Sequence, residues 1–330
     1  MKTNLIIVEG LPGSGKSTTA SMIAEQLSKK GKKVICFDEG TKEHPADYFD
    51  YNFSSFEQEK KLILEKWNSF VNNYDENTIY IFNCIFLQNP MSETMMKFGL
   101  SYNDSLDYIS RISEIIKPLN PIIIYIDELN VKSSIDKVVE ERGNDWLDYV
   151  VEYHTSQGYG KQNNLIGYLG YIECLEERKK RELNILKSID LDSYIISQDI
   201  KVSEFAQLYK SVGWSCPCDE QIKVALTNSE LSIIVRNKNN AVATISLLGD
   251  HGMHWFVKDF IVNKNYQGKM IGTLLYHFCE NYVKSTLKEN WKVCIDLRSS
   301  KGKENFYESL GFKKMPDDFL GNGMEKILKK

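Results

Sequence analysis

The chain has 330 residues, of which 42% are hydrophobic and 26% are charged, a composition that allows two domains with cores of ordinary size. The formal net charge of −4 argues against nucleic acid as a partner, and no apolar stretch reaches the ~18 residues that a membrane span needs. The seven cysteines lie mostly in apolar runs, so we interpret them as reduced thiols. We therefore expect a cytoplasmic protein without a membrane partner.

A glycine-rich segment lies between the first predicted strand, Leu5–Val8, and the first predicted helix, Ser17–Lys29. It fits the phosphate-loop pattern G-x-x-x-x-G-K-[ST] from Gly10 onward. Glycines let backbone N–H groups converge on phosphate oxygens, and the N-terminus of the helix adds a favourable dipole. Lys16 is expected to reach the β- and γ-phosphates of ATP and to act in catalysis, and Ser17 is expected to hold Mg²⁺. The predicted nucleotide-binding residues are Gly13, Ser14, Gly15, Lys16, Ser17 and Thr18.

Strand and helix patterns alternate through residues 1–190. Further strands are predicted at Lys33–Phe37, Thr78–Phe82 and Pro121–Ile126. Further helices are predicted at Ser55–Val71, Asp104–Lys117, Val131–Glu141, Asp145–Thr155 and Leu165–Leu186. This order predicts an α/β domain of the P-loop NTPase kind, with a parallel sheet, flanking helices and a ligand at the carboxyl ends of the strands.

The pattern changes near residue 190, and we predict a second domain over residues 191–330. The short strand Tyr194–Ser197 could close the first sheet, but we expect it to open the second domain. The later predicted elements are helices at Val202–Lys210 and Asp219–Leu226, strands at Leu231–Arg236, Ala241–Leu248 and His254–Val262, a helix at Met270–Lys284, a strand at Trp291–Leu297, a helix at Glu304–Leu310 and a strand near Met324–Leu328. Grouped strands with few helices predict an α+β domain with a mixed sheet.

Residues 194–330 resemble the GNAT N-acetyltransferase family. The resemblance rests on Leu208–Trp214, on Gln267–Gly272, which is similar to the acyl-CoA loop of the family, and on Phe306–Phe312 with Gly323-Met324 after it. Met270 departs from the pattern, because the family usually has a glycine there; its backbone donors survive if φ is negative. The resemblance implies that acetyl-CoA is held by Phe260, Ile261, Val262, Gln267, Gly268, Lys269, Met270, Ile271, Gly272 and Thr273.

The same resemblance implies a direct attack of an amine on the thioester. A backbone N–H near Phe260–Val262 would polarise the carbonyl, as an oxyanion hole does, and Tyr307 matches the tyrosine that protonates the leaving thiolate. The sequence leaves the general base open. The candidates are water and four side chains on or before the same strand, namely Asp250, His251, His254 and Asp259.

The phosphate loop by itself does not separate kinases, GTPases and ATPases. No guanine-reading N-K-x-D pattern follows at a fitting position, whereas Ile122–Asp127 followed by Glu128 could pass for the Walker B strand of an ATPase. The domain resembles the nucleoside and nucleotide kinases of the P-loop class. In that group the second strand ends in a carboxylate that orients or deprotonates the acceptor hydroxyl, and Asp38 and Glu39 occupy that place. The resemblance therefore implies that either carboxylate is catalytic.

One position departs from the kinase pattern. Asn83 stands where many such kinases have an acidic residue at the end of the third strand, so the metal site is weaker or depends on Asp127. Charge on the transferred phosphoryl group must be neutralised, and Arg142 is the first candidate for this catalytic role. The basic run Arg178–Arg181 is the second, although such a run is more often a solvated helix face.

Two functions remain open. The first is a bifunctional enzyme that uses acetyl-CoA, ATP and Mg²⁺ to modify an amine and a hydroxyl of small-molecule acceptors. The second is an acetyltransferase whose P-loop domain binds a nucleotide only as a regulator, and Asn83 favours it. The sequence does not identify the acceptors, show whether the domains share a substrate, or indicate the oligomeric state.

Overall fold

The computed structural model describes residues 3–48, 53, 55–316 and 321. The chain divides into two compact units. The first unit comprises residues 1–205 and 233–242, and the second comprises residues 206–232 and 243–330. The expected class is confirmed, because the first unit alternates strands and helices around a largely parallel sheet and the second combines fewer helices with a mixed sheet.

The first unit is built on strands in the order β2-β3-β1-β4-β5-β6. Their bounds are Leu5–Gly10 (β1), Lys33–Asp38 (β2), Thr78–Asn83 (β3), Ile122–Asp127 (β4), Asp192–Ser197 (β5) and Leu231–Asn237 (β6). The first five strands pair in parallel and β6 pairs antiparallel to β5. All six residues of β1 are buried, as a central parallel strand with both faces covered requires, whereas β2 lies at the edge and is largely exposed.

Helices connect these parallel strands. Their bounds are Lys16–Lys29 (α1), Phe56–Asn73 (α2), Gln88–Met91 (α3), Tyr102–Ile116 (α4), Val131–Arg142 (α5), Asn144–Thr155 (α6), Gly158–Gln162 (α7) and Gly167–Ser188 (α8). Helix α3 continues into a π-helical turn over Ser92–Lys97. The sequence did not indicate α3, its π-helical turn or α7, because each is shorter than the window over which helical periodicity can be measured.

Strand β5 corrects the expectation that Tyr194–Ser197 opens the second domain. It pairs in parallel with β4, with Tyr194 opposite Ile124. Five of its six residues are buried, so its backbone needs a neighbouring strand, and α8 directly before it supplies the crossover that a parallel pair requires. The first compact unit accordingly extends to Phe205 and not to the predicted boundary at residue 190.

The second unit begins within α9 (Val202–Ser211) and continues through α10 (Asp219–Thr227). The boundary between the units crosses the hairpin of β6 and β7 (Asn240–Gly249). The remaining elements are β8 (His254–Val262), α11 (Ile271–Thr286), β9 (Cys294–Leu297) and α12 (Glu304–Glu308). Strand β7 is antiparallel to β8, and β8 is parallel to β9. Strand β9 is shorter than predicted, and the strand expected near Met324–Leu328 lies outside the described residues.

Within the described part of the chain, no helix combines the length and the apolar character that crossing a membrane would require.

The core of the first unit yields a stability prediction. Trp67 on α2 is fully buried, and its ring centroid lies 5.8 Å from that of Phe82 and 6.4 Å from that of Phe70. Trp67→Ala leaves a large cavity, so we expect the free energy of unfolding of this unit to fall by about 3–5 kcal/mol, measured by urea denaturation. Trp291, which is 41% exposed, is the control. Equal losses for Trp67→Ala and Trp291→Ala would contradict the packing.

Candidate active sites

The phosphate loop has the backbone that its glycines permit. Gly15 immediately precedes α1 and has φ 85°, in the left-handed region. A Cβ there would meet open space, so this position favours glycine because of its backbone conformation and not because of crowding. Gly10 is required by space, since a Cβ there would lie 2.6 Å from Ser14 Oγ and 2.7 Å from the carbonyl oxygen of Ile126. Lys16 Nζ donates to the carbonyl of Leu11 within the loop at 3.0 Å. The first-turn N–H groups of α1 have no carbonyl partner within the helix, so they are available to a phosphate.

Asn83 links the ends of β2 and β3 to the first turn of α1 beside the loop. Its side-chain nitrogen donates to Ser17 Oγ and to Asp38 Oδ1, both at 2.8 Å. The sheet register explains the contact, because Asn83 is opposite Val8 on one side and opposite Asp38 on the other. The amide thus connects the predicted magnesium ligand Ser17 to a carboxylate. An acid is present at this edge of the sheet, but Asp38 supplies it and not residue 83.

Glu39 lies exposed beyond the end of β2 and is contacted from the segment after β3. Its Oε2 accepts hydrogen bonds from the side-chain amide of Gln88 and from Cys84 Sγ, the latter at 3.2 Å. Burial raises the pKa of the Cys84 thiol far above its usual range, so this group remains a hydrogen-bond donor at neutral pH. Glu39 is consequently held in place while it stays open to an acceptor.

Asp127 at the end of β4 is already compensated by other groups. Its Oδ2 accepts from Ser197 Oγ at 3.0 Å, and its Oδ1 lies 3.4 Å from Lys179 Nζ. Lys179 also donates to the carbonyl of Glu128 at 2.7 Å. The described contacts therefore pair Asp127 with a cation and do not connect it to Ser17. Its role as a magnesium ligand stays a prediction.

The two candidates for neutralising charge on the phosphoryl group, Arg142 and the run Arg178–Arg181, differ in their surroundings. Arg142 is exposed on the last turn of α5, with its guanidinium 5.3 Å from the ring centroid of Trp146. A Cβ on Gly13 would lie 2.9 Å from Val138 Cγ2, so the side of α5 that carries Val138 packs on the loop. Arg142 comes one helical turn after Val138 and therefore lies on the same side of α5. Arg178 instead forms a core ion pair with Glu182 at 2.6 Å, where it is 3% exposed, and cannot serve as a lid.

The sequence reading missed Glu9, which is fully buried at the end of β1. Its Oε1 accepts backbone hydrogen bonds from Ile85, Phe86 and Leu87 at 3.1, 2.7 and 2.9 Å, and its Oε2 has no partner among the described residues. Burial first, and then the charge of Glu182, raise the pKa of Glu9 to about 7. A carboxylate within the apolar run of β1 was the signal that could have revealed it.

In the second unit, β8 is the strand expected to take part in acyl transfer, and it carries a β-bulge. Asp259 has φ 52°, and the pairing with β7 shifts between Ile261 opposite Thr244 and Lys258 opposite Ser246. A bulge leaves one residue out of the ladder and redirects backbone N–H groups. It directly precedes Phe260–Val262, where a carbonyl-polarising N–H was predicted. That role stays a prediction, but the local geometry suits it.

Among the four candidate bases, only Asp259 lies at the bulge. Its carboxylate accepts a hydrogen bond from the Tyr209 hydroxyl and pairs with Lys258 at 2.7 Å. The others lie at or before the start of β8. The carboxylate of Asp250 accepts hydrogen bonds from the backbone N–H groups of residues 252–254, which lower its pKa to about 2. His251 pairs with Glu230 at 3.0 Å, and His254 lies 3.9 Å from Asp296.

Met270 does not meet the condition of a negative φ under which its backbone donors were expected to survive. It directly precedes α11 and has φ 63°, the left-handed region that a side chain disfavours by roughly 1–2 kcal/mol. Gly268 two residues earlier has φ 77°. The loop therefore keeps the backbone that a glycine would adopt, and methionine bears the strain.

The loop is attached to the end of β8 and to the segment before α12. Gln267 Nε2 donates to the carbonyl of Val262 at 2.9 Å, and Gln267 Oε1 accepts from Lys303 at 3.1 Å. Gly272 on the first turn of α11 allows close packing, since a Cβ there would lie 3.2 Å from Phe306 Cζ. Lys269 lies over the ring of Tyr266, and Ile271 and Thr273 are buried in the first turn.

Tyr307 on α12 lies near β8 within an aromatic cluster. Its ring centroid lies 6.1 Å from that of Phe260 and 5.9 Å from that of Phe312. Burial raises the pKa of its hydroxyl, so the side chain is a protonated phenol at neutral pH. The structure thus brings together two residues that the sequence had assigned to the same reaction.

Two family models match the chain. Residues 203–327 match the model described as "Acetyltransferase (GNAT) domain", and residues 3–82, which span β1 to β3, match the model described as "Chromatin associated protein KTI12". The resemblance found in the sequence is confirmed: the chain joins a P-loop, kinase-like segment to a GNAT acetyltransferase domain.

Individual relatives match part of the chain at 26–29% identity. The "Uncharacterized N-acetyltransferase ycf52" of Pyropia yezoensis is 29% identical over 39% of this chain and 75% of its own length. Its namesake in Porphyra purpurea is 27% identical over 48% of this chain and 92% of its own length. The solved GNAT family protein SP0256 of Streptococcus pneumoniae is 26% identical, with a TM-score of 0.35, and covers 42% of this chain and 98% of its own.

Glu9 yields a pH prediction. Its folded pKa of about 7 exceeds the ordinary 4.5, so the folded state binds this proton more tightly than the unfolded state does. The resulting stability is complete below pH 4.5 and is lost as the pH rises through 7. Glu9→Gln keeps an oxygen acceptor without the charge. Urea unfolding should show the variant gaining up to about 3 kcal/mol relative to wild type between pH 4.5 and 8. A difference that does not change with pH would contradict the assignment.

Met270 yields a second prediction. Met270→Gly removes the left-handed strain, and we expect thermal unfolding to show a stability gain of about 1 kcal/mol or less, because the glycine also loosens the unfolded chain. The matched control is Lys269→Gly, whose φ is not in the left-handed region and which should destabilise the protein. If Met270→Gly and Lys269→Gly lowered the stability equally, residue 270 would not be strained.

Proposed function

Because residues 203–327 form a GNAT acetyltransferase domain and residues 3–82 match the KTI12 P-loop family, we propose a bifunctional enzyme that modifies small molecules. Its second unit transfers an acetyl group from acetyl-CoA to an amine. Its first unit transfers a phosphoryl group from ATP to a hydroxyl. The observation that carries the proposal is that in each unit a residue with positive φ directly precedes a helix N-terminus beside the predicted catalytic side chains.

The second unit offers groups for each part of acetyl transfer. Acetyl-CoA would supply the thioester, held by the N-terminus of α11 and the loop from Gln267 to Thr273. Backbone N–H groups of Phe260–Val262 stabilise the charge that develops on the carbonyl oxygen. Tyr307 donates its proton to the departing sulfur. Asp259 or water takes the proton from the attacking amine, and the Tyr209 hydroxyl and Lys258 orient this carboxylate.

The first unit offers the parts of phosphoryl transfer. ATP would lie on the loop from Gly13 to Thr18, and Mg²⁺, held by Ser17 with Asp38 nearby, would neutralise phosphate charge. Glu39 accepts the proton of the acceptor hydroxyl, with Gln88 and Cys84 holding it in place. Lys16 and a lid residue, Arg142, balance the charge that develops on the phosphoryl oxygens.

The alternative is an acetyltransferase whose first unit only binds a nucleotide. Asn83 in place of an acid favoured this reading. The contact between Asn83, Ser17 and Asp38 weakens it, because the sheet register brings another carboxylate to the same place. We therefore favour catalysis in both units, with small-molecule acceptors and no nucleic-acid or membrane partner, in the cytoplasm.

Tyr307→Phe tests the acetyl transfer. Loss of the proton donor should lower kcat by about 10²-fold or more with little change in the affinity for acetyl-CoA, measured by release of free thiol with a panel of amines. The control is Tyr276→Phe, because the Tyr276 ring also packs against Phe312. If both variants lose the same activity, Tyr307 has only a packing role.

Glu39→Gln tests the phosphoryl transfer. Mass spectrometry on amino sugars, nucleosides and polyamines, supplied with Mg-ATP and acetyl-CoA, should detect a phosphorylated product that Glu39→Gln reduces by about 10²-fold or more and that Lys16→Ala abolishes. Glu43→Gln alters an exposed acid of the same segment and should be silent. An acetylated product alone, with unaltered ATP binding, would support the regulatory alternative.

A further inference from the structure

A cluster of three potential metal ligands lies at the start of β8 and β9 in the second unit. It comprises His254, Cys294 and Asp296, each offering one ligand atom, and these atoms all lie within 4.8 Å of one another. The parallel register explains the cluster. His254 is directly opposite Cys294, and Asp296 follows two residues later on the same strand, hence on the same face.

The side chains already approach one another on a solvent-accessible face. His254 Nδ1 lies 3.9 Å from Asp296 Oδ2, and Cys294 Sγ lies 3.6 Å from Asp296 Oδ1. Atoms that coordinate one tetrahedral zinc ion lie roughly 3.5 Å apart, so small side-chain rotations suffice. His254 and Cys294 are exposed. Trp255, the next residue along β8, points to the opposite face of the sheet and is buried. Solvent can therefore reach the ligand atoms.

The chemistry of the donors selects the kind of cation. A thiolate and an imidazole with one carboxylate suit zinc and related borderline transition metals, whereas magnesium and calcium require oxygen ligands. Three protein ligands leave the fourth position of a tetrahedral site to water. We propose that His254, Cys294 and Asp296 form a zinc-binding site that fastens β9 to β8.

The position of the site indicates a stabilising role. Strands β8 and β9 share four register pairs, and His254 with Cys294 is the first of them. The bulge at Asp259 lies five residues along β8, or about 16 Å away. A metal ion at the first pair would hold the start of the short strand β9 without touching the acyl-transfer groups. Zinc should therefore raise stability and leave the intrinsic chemistry of acetyl transfer unchanged.

The test uses the full chain, without a histidine tag and stripped of metal by a chelator. Zn²⁺ titrated against a chromophoric competitor should bind at one equivalent per chain, and Co²⁺ should give the near-ultraviolet thiolate charge-transfer band and the intense visible bands of a tetrahedral site. Cys294→Ser should abolish the charge-transfer band, and His254→Ala and Asp296→Asn should each weaken Zn²⁺ binding by about tenfold or more. Zinc should raise Tm by several degrees in wild type and not in Cys294→Ser.

Two control variants locate the thiolate. Cys36→Ser removes another exposed thiol, and the double variant Cys216→Ser, Cys218→Ser removes the Cys-Pro-Cys pair. Both should retain the charge-transfer band and the stoichiometry. The proposal is overturned if either control abolishes the band, if Cys294→Ser binds Zn²⁺ as wild type does, or if wild type takes up no stoichiometric Zn²⁺. Circular dichroism of Cys294→Ser verifies that the exposed substitution leaves the fold intact.

Discussion

A buried carboxylate, that of Glu9, holds the turn on which the candidate phosphoryl-transfer site depends. Glu9 binds three successive backbone N–H groups with a single oxygen and so fixes the turn that follows β3. Cys84 and Gln88 flank that turn, and both contact Glu39, so the position of the candidate base follows from that of Glu9. Burial of this carboxylate raises the pKa of Glu9, because the hydrogen bonds compensate only one of its two oxygens for the loss of water.

The two units share one backbone arrangement at their predicted anion sites. In each, a strand leads into a loop, a residue with positive φ immediately precedes a helix, and the first turn of that helix presents unpaired N–H groups. The first unit uses Gly15 at that point, whereas the second uses Met270. Backbone geometry rather than side-chain identity is therefore what the two predicted anion sites have in common, and the methionine bears strain that a glycine would avoid.

Much of the fold could be predicted because its signals are local. The apolar runs of β1 to β4 and the periodic helices are found where the sequence placed them, within a few residues. The short elements α3 and α7 escaped detection because a single helical turn has no measurable periodicity. The assignment of β5 was wrong because a buried strand does not reveal its partner, and only its pairing with β4 assigned it to the first sheet.

The sequence by itself determined the two loops, the class of each unit and the candidates Lys16, Ser17, Glu39 and Tyr307, since motif spacing and strand ends are properties of contiguous residues. The tertiary structure alone decided which distant groups meet. Register across neighbouring strands joined Asn83 to Ser17 and Asp38, and brought His254 to Cys294. Helix packing buried Arg178 against Glu182, although its neighbours in the sequence suggested a solvated face. Strand pairing joins residues that are far apart in the chain, so no local pattern could reveal those contacts. The i,i+4 spacing of Arg178 and Glu182 permits their ion pair, but its burial depends on what packs around α8.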